Sequence, residues 1–179
     1  MRERYVAQGS KMKKHWIASL LVLLSGCFVT ACKKSDGWDE YKYKDAGFAI
    51  SAPRLPIPRP TSPDEPNTKA YGLRYDNRSE ILFSMGPLDM FENLPDNEKL
   101  QKLKEQTVQG TSSKLISEKE ISLDGNPGLE LEVESNSQHM RERYYIVNGK
   151  ILFILSAAPT NQPLVADTDR IFDSLRLLK

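Results

Sequence analysis

Histidine and cysteine are the scarcest reactive residues in this 179-residue chain, which holds only His15, His139, Cys27 and Cys32. A zinc site needs four nitrogen or sulfur ligands, or three and a water, and no such set is spaced along the sequence. Two cysteines cannot build a disulfide framework, so stability has to come from packing. Charge of one sign is also missing: 25 basic residues face 24 acidic ones, without the basic excess that marks nucleic-acid binding. No glycine-rich loop is present to cradle phosphate, since Gly125 and Gly128 punctuate a turn. Asp36, Asp39 and Glu40 lack the glycine-centred loop of a calcium site. No serine or cysteine sits in a nucleophile motif that His139 could serve. These absences leave no catalytic residue, cofactor or metal to expect, and no nucleic-acid partner.

What is present begins at the N-terminus. Lys13-Lys14-His15 precedes the apolar run Trp16 to Leu24, which closes in Leu24-Ser25-Gly26-Cys27. The run is too short to cross a bilayer as a helix, which takes about 20 apolar residues. A basic start, a short apolar run and a small-residue ending before cysteine is the layout of a bacterial lipoprotein signal peptide. On this reading residues 1–26 are the signal, with 12–26 or 12–31 as alternative bounds because Met12 abuts the basic pair. Cys27 is the expected lipid attachment site. Cys32, after Val29-Thr30-Ala31, is the alternative. Residues 27–40 then form a lipid-anchored tether and 41–179 the folded domain. Neither cysteine is followed by aspartate, which resembles an outer-membrane address. The expected location is the cell envelope, facing the periplasm, with the membrane as a partner through acyl chains such as palmitate. Removing residues 1–31 takes five basic residues and one acidic residue from the totals, leaving 20 and 23. About 150 residues remain, enough to bury one core.

Alternation of apolar and polar residues places the elements. Tyr41–Tyr43 and Phe48–Ser51 read as two short strands joined by a turn. Pro53 to Pro66 is proline-rich and reads as an extended loop without ladder donors. Lys69–Tyr75 and Glu80–Met85 read as a strand pair, and Pro87–Pro95 as irregular. A helix capped by Asp96 or Asn97 runs to about Gln109. Leu100, Leu103 and Val108 form its apolar stripe, and Lys99, Lys102, Lys104 and Glu105 its wet face. Ile116, Ile121 and Leu123 lead into a turn at Asp124–Gly128. Leu129, Leu131 and Val133 alternate with Glu130, Glu132 and Glu134, a strand with one buried face. Met140–Val147 and Ile151–Leu155 flank Asn148-Gly149, a hairpin signal. Ile151–Leu155 is apolar on both faces and should be central and doubly covered. Pro163 opens a final helix with Leu164, Val165, Thr168, Ile171, Phe172 and Leu175 inward.

The segment from Ser117 to Leu178 resembles the PsbP-like family, named for an extrinsic photosystem II subunit. Asp124-Gly125-Asn126-Pro127-Gly128, Arg141–Val147 with its Asn-Gly turn, Ile151–Leu155 and Ile171–Leu177 carry the likeness, with Gly47–Pro53 at the front. The resemblance implies an α+β fold, an antiparallel β-sheet packed with helices in an α/β/α sandwich. It brings no catalytic residues.

The expected function is a non-enzymatic binding or accessory subunit with a protein partner of unknown identity. The alternative is a chaperone-like or inhibitor protein masking an apolar segment of a secreted partner, through Leu55, Ile57, Leu88, Met90, Phe91 and Leu94. Trp38, Tyr41 and Tyr43 are candidates for docking at a membrane interface. Glu130, Glu132 and Glu134 form a row on one strand and Arg141 and Arg143 on the next; Glu132 or Glu134 is expected to face Arg141 or Arg143 across strands rather than form a cation site. His139 is expected to be an exposed loop residue.

Overall fold

A computed structural model describes residues 36–63 and 67–179. Cys27, Cys32 and the segment read as a signal peptide lie outside the described residues. Residues 37–179 form one compact unit.

Ten strands and two α-helices make the domain. The strands are β1 (Asp39–Tyr43), β2 (Phe48–Ala52), β3 (Ile57–Arg59), β4 (Lys69–Arg74), β5 (Glu80–Pro87), β6 (Lys114–Leu123), β7 (Asn126–Glu134), β8 (Gln138–Val147), β9 (Lys150–Pro159) and β10 (Arg176–Leu177). The helices are α1 (Asp96–Gly110) and α2 (Thr168–Asp173), with a single 3-10 turn at Asp89–Phe91. Seven strands form an antiparallel sheet in the order β3-β4-β5-β9-β8-β7-β6, and β1-β2-β10 form a second, smaller sheet.

The large sheet is the middle layer. On one face, α1 covers Leu129, Leu131, Val133, Met140, Tyr144 and Ile146 with Leu100 and Leu103. On the other, β2 and α2 cover Leu73, Ile81, Phe83, Leu152 and Ile154 with Phe48, Ile50, Ile171 and Phe172. The strand period of two explains the division, since successive side chains point to opposite faces. In β9, Leu152 and Ile154 enter one core while Ile151, Phe153 and Leu155 pack against the other. β9 is therefore central and covered on both sides, as its unbroken apolar run requires.

Two hairpins turn through residues with positive φ, Asp124 (50°) with Gly125 (83°) and Asn148 (51°) with Gly149 (74°). Such turns match the twist of the flanking strands. A Cβ at Gly149 would meet nothing within 4 Å, so Gly149→Ala tests the backbone alone. It should cost about 1–2 kcal/mol, the left-handed penalty for a residue with Cβ. Gly110→Ala, also uncrowded but without a positive φ, should not destabilise and should gain up to about 1 kcal/mol at the end of α1. Urea midpoints of the two variants check both signs.

Six details differ from the sequence reading. β1 opens at Asp39, so residues 39 and 40 of the expected tether belong to the small sheet. The proline-rich loop contains β3, paired with β4 through Ile57↔Gly72, Pro58↔Tyr71 and Arg59↔Ala70. Proline is admissible there because β3 is an edge strand and Pro58 need only direct its nitrogen away from β4. α1 is capped by Pro95, with no side-chain cap. Lys99 is buried rather than wet, its ammonium 3.0 Å from Asp96 and its stem laid along the domain. The turn before β7 shortens to Asp124-Gly125, since Asn126 and Pro127 already pair with Leu123 and Ser122. The last helix starts at Thr168, not Pro163. Asp167 there accepts a hydrogen bond from the Tyr75 hydroxyl (3.1 Å), and Thr168 bonds Ser156 (2.7 Å), tying the helix start to the large sheet.

Candidate functional site

The side chains with the most chemistry gather on β7, β8 and α2, on the face opposite α1. Register sets Glu130 opposite Arg143, Glu132 opposite Arg141 and Glu134 opposite His139. The Arg143 Nε donates to Glu130 (2.5 Å) and its Nη1 to Asp173 (3.0 Å). Its guanidinium lies 5.1 Å from the Phe172 ring centre. Burial works against the Arg143 charge, but the bonds to Glu130 and Asp173 outweigh it and hold its pKa above the ordinary value. Arg141 pairs with Asp169 of α2 rather than with Glu132. Glu132 instead meets the His139 ring at 2.7 Å and receives the Ser117 hydroxyl at 3.3 Å. His139 is thus the second residue of β8, half-buried and partnered, not in an exposed loop. Opposite charges here satisfy one another across strands and onto α2, a clamp that holds the helix on the sheet. Among the described residues, no group of three or more histidine, cysteine, aspartate or glutamate side chains could hold a metal ion.

A second polar cluster lies on the α1 face and was passed over in the sequence. Glu142 is buried between Leu131 and Leu155 of the neighbouring strands. Its Oε2 accepts the hydroxyls of Tyr144 and of Thr107 of α1, the latter at 3.2 Å, and the two hydroxyls lie 2.6 Å apart. Burial raises the Glu142 pKa, and the two hydroxyl bonds only partly oppose that. Burial also raises the Tyr144 pKa, with the Glu142 charge adding to it. A signal was legible: Glu142 shares its parity with Met140, Tyr144 and Ile146, all inward-facing. Chemically the cluster can hold a proton inside the core. A cavity beside α1, lined by Asn97, Leu100, Gln101, Glu120, Pro127 and Leu129, measures about 190 Å³, below the usual ligand range of about 300–1,000 Å³.

Of the six apolar candidates, the Met90 side chain lies outside the described residues, and the other five do not form one exposed groove. Leu88 is buried, Phe91 is half-buried against the α1-side core, and Leu94 is half-buried. Leu55 and Ile57 stay out in solvent, 63% and 54% exposed. Trp38, Tyr41 and Tyr43 pack on the domain's own core. The Tyr43 ring stacks 4.0 Å from Tyr71, and Arg170 covers Trp38 at 3.9 Å.

No family model and no curated protein matches the chain. The solution structure of the cyanobacterial PsbP protein CyanoP from Synechocystis superposes with a TM-score of 0.54, covering 78% of this chain and 92% of that one. The fold is PsbP-like. Sequence identity over that match is 13%, so the likeness extends to architecture and stops there. A Pseudomonas aeruginosa protein of unknown function, PA94, matches at a TM-score of 0.44 and 13% identity, over 68% of this chain and 83% of that one. The PsbP-like domain here is α+β, with an antiparallel sheet between α1 and the β1-β2-β10 sheet with α2.

Proposed function

We propose that this chain is a lipid-anchored protein of the bacterial cell envelope that works as a non-enzymatic binding or accessory subunit. The observation that carries the reading is Leu24-Ser25-Gly26-Cys27 behind a short basic and apolar start. Acyl chains on Cys27, or on Cys32 after Val29-Thr30-Ala31, would hold the domain at the outer membrane, facing the periplasm. The PsbP-like fold is compatible with an accessory role. So is the use of the polar clusters: Glu130, Glu132, Arg141 and Arg143 are engaged with one another and with α2.

The chaperone-like alternative keeps one supporting observation, the exposure of Leu55 and Ile57. It loses the groove, because Leu88 is buried, Phe91 leans on the core and Leu94 is half-buried.

Mass spectrometry of the mature N-terminal peptide tests the anchor. The expected result is a peptide starting at an acylated Cys27. A peptide retaining both cysteines unmodified would end the lipoprotein reading. Cross-linking of the acylated protein in its native envelope tests the accessory role, with one abundant partner captured through one face as the expected outcome. Turnover abolished by a point change in a carboxylate of the domain would overturn it.

A further inference from the structure

We propose that the segment Arg54–Arg59, led by Leu55 and Ile57, is the face this domain lays on a phospholipid surface. The proposal rests on the lipid-anchor reading and adds an orientation to it. Leu55 and Ile57 are two of the three exposed large hydrophobic residues among those described. They project from one stretch, separated by Pro56 and followed by Pro58 and Pro60. Proline fixes φ, so this stretch is already rigid and loses little freedom when it meets a surface.

The position of the chain entry supports this occupant. Asp39 pairs with Ala52, and Leu55 follows three residues later. Leu55 therefore lies within about 15 Å of the point where the chain joins the domain. A series of contacts marks the same end. Arg170 covers Trp38, Tyr75 bonds Asp167 of the same turn, and Arg54 stacks on Tyr75 at 4.9 Å while donating to the Arg74 carbonyl. The ten-residue step from Cys27 to Gly37 can span at most about 35 Å. An acylated cysteine thus keeps this end of the domain within reach of the headgroups. Arg54 and Arg74 are exposed beside Leu55, Arg54 bonding the Arg74 carbonyl, a cationic border suited to anionic lipid.

The backbone disfavours the obvious rival, a partner strand added to β3. Pro58 has no N–H for Tyr71 opposite it, so the β4 ladder falls on Ile57 and Arg59 and the free edge on residues 58 and 60. Both are proline and have no N–H to give. Pro56 is buried, its carbonyl taken by the Tyr43 hydroxyl at 3.3 Å. An incoming strand would find acceptors without donors, whereas a lipid surface asks for neither. Attachment comes from the acyl chains; the apolar pair decides which side of the domain faces the membrane.

The test uses the acylated full-length product in vesicles of phosphatidylethanolamine and phosphatidylglycerol, with brominated lipids as tryptophan quenchers. Leu55→Trp places a reporter on the proposed face, and Lys119→Trp places one on β6, the far edge of the sheet. The parent supplies the Trp38 background. The expected result is at least twofold quenching of the added emission in Leu55→Trp and none in Lys119→Trp. Quenching of neither, or of both equally, overturns the proposal. So does a photo-cross-link from position 55 to a protein instead of lipid in the envelope. If the N-terminal peptide proves unacylated while Leu55→Trp is still quenched, the surface stands and the anchor reading falls.

Discussion

Phe48→Ala should come close to unfolding the domain. Phe48 is fully buried at the start of β2 and its ring meets those of Tyr43, Tyr71 and Phe83, at 5.2, 6.2 and 6.3 Å between centres. It is the residue through which the small sheet grips the large one. Truncating a buried phenylalanine to alanine costs about 3–5 kcal/mol, transfer and cavity together. Domains have about 5–15 kcal/mol to lose. For a domain of this size each kcal/mol is about 2–4 °C of Tm, so the fall should be roughly 6–20 °C. Ile57→Ala removes a comparable apolar side chain from an exposed site and should move stability by no more than about 0.5 kcal/mol. Thermal unfolding of both variants decides. A Phe48→Ala shift as small as that of Ile57→Ala would mean that the small sheet is not part of the cooperative core.

Glu142→Gln should stabilise the protein at neutral pH and flatten its pH profile. The carboxyl of Glu142 is held above the ordinary carboxylate range, first by burial, with the Tyr144 and Thr107 hydroxyls pulling the other way. The folded protein thus binds this proton more tightly than the unfolded chain does. The linkage sign follows: the contribution of Glu142 is fully present below the unfolded carboxylate pKa of about 4.3. It is lost as pH rises through the elevated native value, and is level above that. Glutamine keeps an oxygen for the two hydroxyls and has no charge to bury. The gain above the transition should be about 1–3 kcal/mol, the usual cost of an incompletely compensated buried polar group. Glu40, lowered by its bond to Arg176, and Asp76, lowered by backbone N–H groups of Arg78 and Ser79, act in the opposite sense. Both are present in either protein, so the difference between the two profiles isolates Glu142. Urea unfolding from pH 4 to pH 8 measures it. Parallel profiles would show that the Glu142 carboxyl titrates alike in the folded and unfolded states.

Much of this architecture was legible because local rules and packing agreed. Leu129, Leu131 and Val133 alternate with glutamates because β7 has one face under α1. Asn148-Gly149 made a hairpin because its φ values suit no other pairing of strands so well. Ile151–Leu155 reads apolar throughout because β9 is covered on both sides. Legibility failed where a tertiary contact overrode a local preference. Pro58 argues against a strand, yet an edge admits it on the side that needs no donor. Pro163 is a good helix opener, but the ties from Tyr75 to Asp167 and from Ser156 to Thr168 start the helix five residues later. Lys99 is charged yet buried, because Asp96 one turn earlier meets its ammonium. Of the charged site, cross-strand pairing was readable from strand order, but the pair that forms is Glu130–Arg143 and not one from Glu132 or Glu134. The shares taken by Asp169 and Asp173 depend on where α2 lands, which no spacing encodes.

The closing contacts of the domain join its first strands to its last. Arg176 pairs with Ala49, Leu178 N–H reaches the Gly47 carbonyl, and Ser51 N–H meets the Ser174 hydroxyl across 123 positions. Such distant pairings make folding slow, because the long loop must close before its contacts form. They also impose an order in time. β10 follows the large sheet and α2 in the chain, so the β1-β2-β10 sheet cannot be completed before those elements have been made. A compact state formed earlier lacks the strand that locks β2 in place.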